Sequence, residues 1–113
     1  PNWLAPECIL QKLYDAKVDV WAMGITLVEM LEQDPPYFEL DYLVAMQKII
    51  SSGCPPLRDP PRWSDHLKDF HRACTEMAPE RRADSMQLVD HPFVELAVSS
   101  AVFEALVRDC HNL

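Results

Sequence analysis

Lys17-Val18-Asp19-Val20-Trp21-Ala22-Met23-Gly24-Ile25-Thr26-Leu27-Val28-Glu29-Met30-Leu31 is the stretch on which the fold turns. At ~100° per residue, Asp19, Ala22, Thr26 and Glu29 fall on one narrow stripe. Val18, Val20, Trp21, Met23, Ile25, Leu27, Val28, Met30 and Leu31 cover most of the remaining circumference. A helix that is apolar nearly all round belongs inside a protein, surrounded by other elements. Asp15, or Asp15 with Ala16, can start it. The rest of the chain offers few elements to surround it, so an exposed apolar patch and self-association are expected.

Outward from this helix, proline pairs at Pro35-Pro36, Pro55-Pro56 and Pro60-Pro61 mark the connections, because each forbids continuous helix. A second helix is expected from about Asp41 to Ser51, with Leu43, Met46 and Ile50 on one face and Gly53 just past its end. A third starts at Ser64, a good N-cap, and carries Leu67, Phe70, Cys74 and Met77. A fourth opens at Asp84, with Gln87 three residues on as in a capping box. It holds Met86, Leu88 and Val89 and stops before His91-Pro92. A last helix spans about Val98 to Cys110, with Val102, Phe103, Leu106, Val107 and Cys110. Strand alternation is almost absent. The expected architecture is all-α, about five helices with Pro-rich loops.

The 113 residues are 49% hydrophobic and 25% charged, which suits one globular domain. The net charge of -8, from 18 acidic against 10 basic residues, repels a phosphate backbone, so no nucleic acid is expected as a partner. The longest apolar runs fall far short of the ~20 residues of a membrane span. No basic-then-apolar leader opens the chain, and a cytoplasmic location is the default expectation. Cys8, Cys54, Cys74 and Cys110 are widely spaced and read as free thiols of a reducing compartment. His66, His71, His91 and His111 show no metal-ligand spacing, so no metal site is expected and surface or capping roles are the reading. No G-x-S-x-G elbow is present. The two glycines, Gly24 and Gly53, cannot form a Gly-rich phosphate loop.

Four motifs in order carry a resemblance. Ala5-Pro6-Glu7 matches the A-P-E that closes a protein-kinase activation segment. Tyr14-Asp15-Ala16-Lys17-Val18-Asp19-Val20-Trp21-Ala22-Met23-Gly24 matches Y-x-x-K-x-D-V-W-x-x-G. Asp34-Pro35-Pro36-Tyr37 is similar to the proline turn after the central kinase helix. Arg82 and then His91-Pro92-Phe93 match the arginine and the H-P-F ending. The chain resembles the C-terminal part of the helical lobe of a eukaryotic protein kinase over residues 1–97, with 98–113 as a C-terminal helix or flank. Ile25-Thr26-Leu27-Val28-Glu29-Met30, Asp34 to Leu40, Pro61-Arg62-Trp63-Ser64 and Lys68-Asp69-Phe70 look like the sterile-twenty-like serine/threonine kinases, nearest the Ste-like and lymphocyte-oriented subgroup, with the p21-activated kinases a second fit. The segment from Cys8 to Tyr14 is shorter than in the closest relatives, and Ala78-Pro79 stands where Asp-Pro is more usual.

The resemblance implies roles. Glu7 and Arg82 would form an ion pair tying the substrate-binding loop to the helical base; the plainer reading is two unrelated surface charges. Trp3, Leu4 and Ala5 match the loop that receives the substrate residue after the phosphorylated one. Glu29 matches an acid that reads basic substrate residues, or is a structural acid on the polar stripe. Asp19 matches a helix-buried acid that hydrogen-bonds the catalytic loop, with a solvent-facing charge at the helix start as the alternative. Trp21 and Gly24 are expected in the core. Phosphoryl transfer needs a phosphate-holding lysine, an H-R-D base and a D-F-G aspartate; none occurs here, so no catalytic or cofactor-binding residue is expected and the chain alone is expected to be inactive. The implied parent uses ATP and Mg²⁺ on protein substrates. Implied partners are those substrates, the missing N-terminal lobe and catalytic loop, and a second copy through activation-segment exchange. The alternatives are a non-catalytic interaction or dimerisation module, a pseudokinase scaffold, or a truncated gene product with no role of its own.

Overall fold

A computed structural model describes residues 1–112. Among the described residues the order is α1 (Pro6–Ile9), α2 (Lys17–Glu32), α3 (Tyr42–Ser52), a 3-10 turn (Pro60–Arg62), α4 (Asp65–Cys74), α5 (Ser85–Val89), α6 (Pro92–Glu95) and α7 (Ser100–His111), with no strand. The fold is all-α. The expected count of about five helices misses α1 and α6. Each is only four residues long and begins on a proline. One turn is too short to show a 3.6-residue period, but proline suits a first helical position because its missing N–H has no partner there.

α2 is the axis of the molecule. Its Asp15 lead-in accepts the Lys17 N–H at 2.9 Å. Its far end turns at Gln33, a left-handed residue (φ 74°). Three apolar clusters meet on it. Trp21 and Ile25 pack with Ala5 and Ile49. Val20 packs with Phe70, Cys74 and Leu88. Val28 packs with Leu57 and Leu67. The helix is nevertheless not enclosed on every side, and, as expected from the scarcity of surrounding elements, apolar side chains of it are exposed. Asp19, Met23, Thr26 and Met30 form the exposed line, while Ala22 and Glu29 are half-buried. The exposed line is displaced from the polar stripe read from the sequence because α4 approaches on the Gly24 side, leaving Met23 and Met30 exposed.

Gly24 sets that approach. A Cβ there would lie 2.7 Å from Cys74 Cβ and 2.9 Å from Thr75 Cγ2, closer than real carbons pack. Both obstacles are short side chains on or at the end of α4 and cannot swing away. Gly24→Ala is therefore expected to lower stability by about 1–3 kcal/mol through overpacking, despite alanine's better helix propensity. A thermal melt shows it; a midpoint equal to or above that of the parent sequence would refute the close-approach role.

The other starts follow local chemistry. Ser64 Oγ accepts the Leu67 N–H at 3.1 Å. Asp84 and Gln87 form a reciprocal capping box, at 2.8 and 2.9 Å. His91 Nδ1 accepts the Phe93 N–H at 3.0 Å and Nε2 meets Asp69 at 2.7 Å, so the imidazole caps α6 and ties it to α4. α3 packs on α1 through Ala45 and Ile49. Of the face expected from the sequence, Leu43 is exposed while Met46 and Ile50 are half-buried. α3 ends at Gly53 (φ 68°, ψ -150°), a region open almost solely to glycine. Met77 lies beyond the end of α4 and not on its face. α7 starts at the Ser99 cap, one residue later than read, and buries none of its residues.

Candidate functional site

Arg82 lies beyond a turn in which its N–H reaches the carbonyls of Ala78 (3.1 Å) and Pro79 (3.2 Å). Its side chain points inward and the residue is only 1% exposed. A guanidinium has five N–H donors in a fixed fork, and here five bonds are made. Nη1 donates to Glu7 Oε2 at 2.8 Å and to the Lys17 carbonyl at 3.0 Å. Nη2 donates to Glu7 Oε1 at 3.0 Å and to the Met77 carbonyl at 3.3 Å. Nε donates to the Glu76 carbonyl at 2.9 Å. The guanidinium carbon also sits 5.1 Å from the Trp21 ring centroid, within cation–π range. A fully satisfied, bidentate pair is the arrangement in which burying two charges is tolerable.

Glu7 is buried in the first turn of α1, where a negative charge suits the helix dipole. Burial by itself raises its carboxyl pKa. The Arg82 hydrogen bonds, its own backbone N–H and the Arg82 charge outweigh that, and the carboxyl is held below its ordinary value. Lys17 adds a second link. Its carbonyl accepts from Arg82 and its Nζ donates to the Pro79 carbonyl at 2.8 Å. The start of α2 is thereby pinned to the Arg82 turn.

This pinning fixes the loop in front. Ala5 is buried at 1%, against Trp21, Ile25 and Ile49. Trp3 and Leu4, by contrast, are exposed at 37% and 40%. The Asn2 amide donates to the Pro36 carbonyl at 3.0 Å, and Tyr37 Oη donates to the Gly53 carbonyl at 2.8 Å. Residues 1–5 are thus held at both ends, with two large apolar side chains turned outward.

The structure brings together Ala5, Glu7, Trp21 and Arg82. Gly24 is buried at the α2–α4 contact. Glu29 is half-buried, and no hydrogen bond or ion pair joins its side chain to the Trp3–Leu4 loop among the described residues. Asp19 corrects the expectation of a helix-buried acid: it is exposed in the first turn of α2, where water solvates it and the dipole favours it. Sequence reading missed Asn2, Lys17 and the carbonyls of Glu76 and Met77. Carbonyl acceptors leave no mark in side-chain identity, so only the Lys17 position within the quoted motif could have signalled this.

The protein kinase domain model matches residues 1–94. Among curated proteins the chain is similar to three serine/threonine-protein kinases of Dictyostelium discoideum. It is 38% identical to pakC over 113 residues, all of this chain and 24% of that protein. It is 45% identical to pakA over 103 residues, 91% of this chain and 9% of that protein. With pakB the identity is 42%, covering 99% of this chain and 14% of that protein. The chain therefore spans a quarter or less of the length of these relatives. The match runs from the Trp3–Leu4 loop through the Arg82 tie to the His91-Pro92-Phe93 cap, and the chain belongs to the protein kinase domain family.

Proposed function

We propose that this chain is the distal part of the helical lobe of a serine/threonine protein kinase, and that it supplies the end of the substrate-binding loop and the helical base beneath it. The observation that carries the reading is the buried Glu7–Arg82 pair under an outward-facing Trp3 and Leu4. An anchored loop with exposed apolar side chains is suited to holding an extended peptide beside a reaction centre. Glu29 would add preference for basic substrate residues. The finer placement proposed is the sterile-twenty-like group, nearest the Ste-like and lymphocyte-oriented kinases. A longer parent would transfer phosphate from ATP, with Mg²⁺, to serine or threonine of proteins in the cytoplasm.

The residues present do not fit ATP or Mg²⁺. Gly24 is packed inside α2 against Cys74 and Gly53 ends α3 against Met77, so neither opens a phosphate-binding loop. No group of three His, Cys, Asp or Glu side chains able to hold a metal ion occurs among the described residues. Positioning and charge neutralisation are most of what phosphoryl transfer requires from a protein. Residues 1–113 alone are therefore expected to transfer no labelled phosphate from ATP to a generic basic protein. Transfer that co-purifies with the chain through two orthogonal columns would overturn this.

A second reading, a non-catalytic interaction or dimerisation module, is favoured by the exposed Met23 and Met30 of α2 and by the exposed apolar side of α7. No described helix is long and apolar enough to cross a membrane.

A further inference from the structure

α3 carries two apolar sectors, and the core takes up one of them. Ala45 and Ile49 are buried, with Ile49 in the cluster around Trp21. Tyr42, Met46 and Ile50 stand four residues apart with Leu43 beside them. At ~100° per residue these four share a sector about 100° wide, next to the buried one. Tyr42 is 60% and Leu43 64% exposed, and Met46 and Ile50 are half-buried. None of the four belongs to the three core clusters on α2.

The turn before α3 adds an aromatic side chain at the head of this stripe. Tyr37 is left-handed (φ 62°), a conformation that a bulky residue rarely adopts. It is held there because its side chain packs against the Trp21 cluster and its Oη donates to the Gly53 carbonyl at 2.8 Å. Tyr37 is thereby fixed inward, and Phe38 after it is 58% exposed.

Charge selects what can cover the stripe. Glu39 and Asp41 lie between Phe38 and Tyr42 in the chain and are exposed. Neither enters an ion pair among the described residues. Asp41 stands at the N-cap of α3, yet its carboxylate takes no hydrogen bond from the helix. The one base of α3 is Lys48, about 170° round the helix from the middle of the stripe. An apolar helical stripe headed by free acids is complementary to a helix whose own apolar side is flanked by Lys and Arg. A second copy fits worse. A two-fold contact would set Glu39 and Asp41 of both copies together, and the net charge of -8 adds to the repulsion.

We propose that Phe38 and the Tyr42–Leu43–Met46–Ile50 stripe form a docking surface for a basic amphipathic helix of another protein, with Glu39 and Asp41 pairing with its Lys or Arg side chains. The apolar contacts hold the partner. The exposed acids contribute little affinity each and select its charge. The surface uses neither the Glu7–Arg82 tie nor the Trp3–Leu4 loop, and its failure would leave the kinase reading untouched.

The test is fluorescence anisotropy of residues 1–113 with a labelled helical peptide of leucine and lysine, its leucines on one face. Phe38→Ala combined with Leu43→Ala is expected to weaken binding at least tenfold. Glu39→Gln combined with Asp41→Asn is expected to weaken it several-fold at low salt and less at high salt, where exposed charges are screened. Leu106→Ala, on the exposed side of α7, is expected to leave it unchanged. Far-UV circular dichroism records that each variant is folded. Binding unchanged in either double variant, an equal loss in Leu106→Ala, or equal binding of the peptide with glutamate in place of lysine overturns the proposal. So does a dimer, seen by sedimentation, that the Phe38 and Leu43 substitutions dissociate. If the apolar double variant does not fold, photo-crosslinking of the peptide to the unaltered chain decides. Attachment within residues 38–50 supports the surface, and attachment only elsewhere refutes it.

Discussion

Arg82→Ala is expected to lower folding stability at neutral pH by about 3–5 kcal/mol, the cost typical of removing one partner from a buried ion pair. The loss is large because the Glu7 carboxylate stays behind, 6% exposed, without the two donors that made its burial tolerable. Three carbonyls, those of Lys17, Glu76 and Met77, lose a donor as well. The denaturant midpoint measures it, and an unchanged midpoint would show that the pair contributes nothing. A pH series makes the test sharper. In the parent sequence the Glu7 pKa is lowered on folding from an ordinary value of 4.5. Its contribution is therefore complete above that value and fades as pH falls through the lower, folded one. In Arg82→Ala the lone carboxylate is buried without its cation, so its pKa rises instead. The stability difference between the two proteins is expected to shrink on acidification below pH 4.5. A difference independent of pH would mean that the loss is one of packing and not of charge.

Trp21→Ala carries the second large effect, about 3–5 kcal/mol for emptying a large aromatic site in the core. Trp21 is fully buried and joins Ala5 under the loop to Ile49 of α3. Its indole Nε1–H is the one buried side-chain polar atom without a hydrogen-bond partner among the described residues. An unsatisfied buried donor is itself costly, by about 1–3 kcal/mol. Trp21→Phe removes that donor while keeping most of the ring, so it is expected to recover most of the loss seen with alanine. Equal destabilisation by phenylalanine and alanine, in the same denaturation experiment, would show that the orphan donor has no energetic weight. Because Arg82 stacks on this ring at 5.1 Å, the Arg82 and Trp21 substitutions are expected to be non-additive when combined.

The longer helices were legible because their signals are local. Ser64, Asp84 and the proline pairs are punctuation that acts within three or four residues, and α2 to α5 follow it. The tie between Glu7 and Arg82 lies 75 residues apart, and no spacing rule reaches that far. Its two ends were found through motif resemblance, and the geometry then brought them together. Asp19 went the other way. Composition alone cannot decide whether an acid on an apolar helix faces a neighbour or water, because that depends on which side α4 takes. Gly24 and Cys74 settle the side through contact distances that sequence does not carry. The same limit hid the meeting of Cys54 with His71, which comes from the ends of two helices separated by a Pro-rich connection.

The separation in the Glu7–Arg82 pair also governs how the chain is made. Glu7 leaves the ribosome 75 residues ahead of the arginine that completes it. At about 5–20 residues per second, that is an interval of roughly 4–15 s. Trp3 and Leu4 are outside the tunnel for that whole interval, and Trp21 joins them early in it, while their latch has yet to emerge. A nascent-chain chaperone that shields apolar segments would therefore meet this loop before its own protein can close over it.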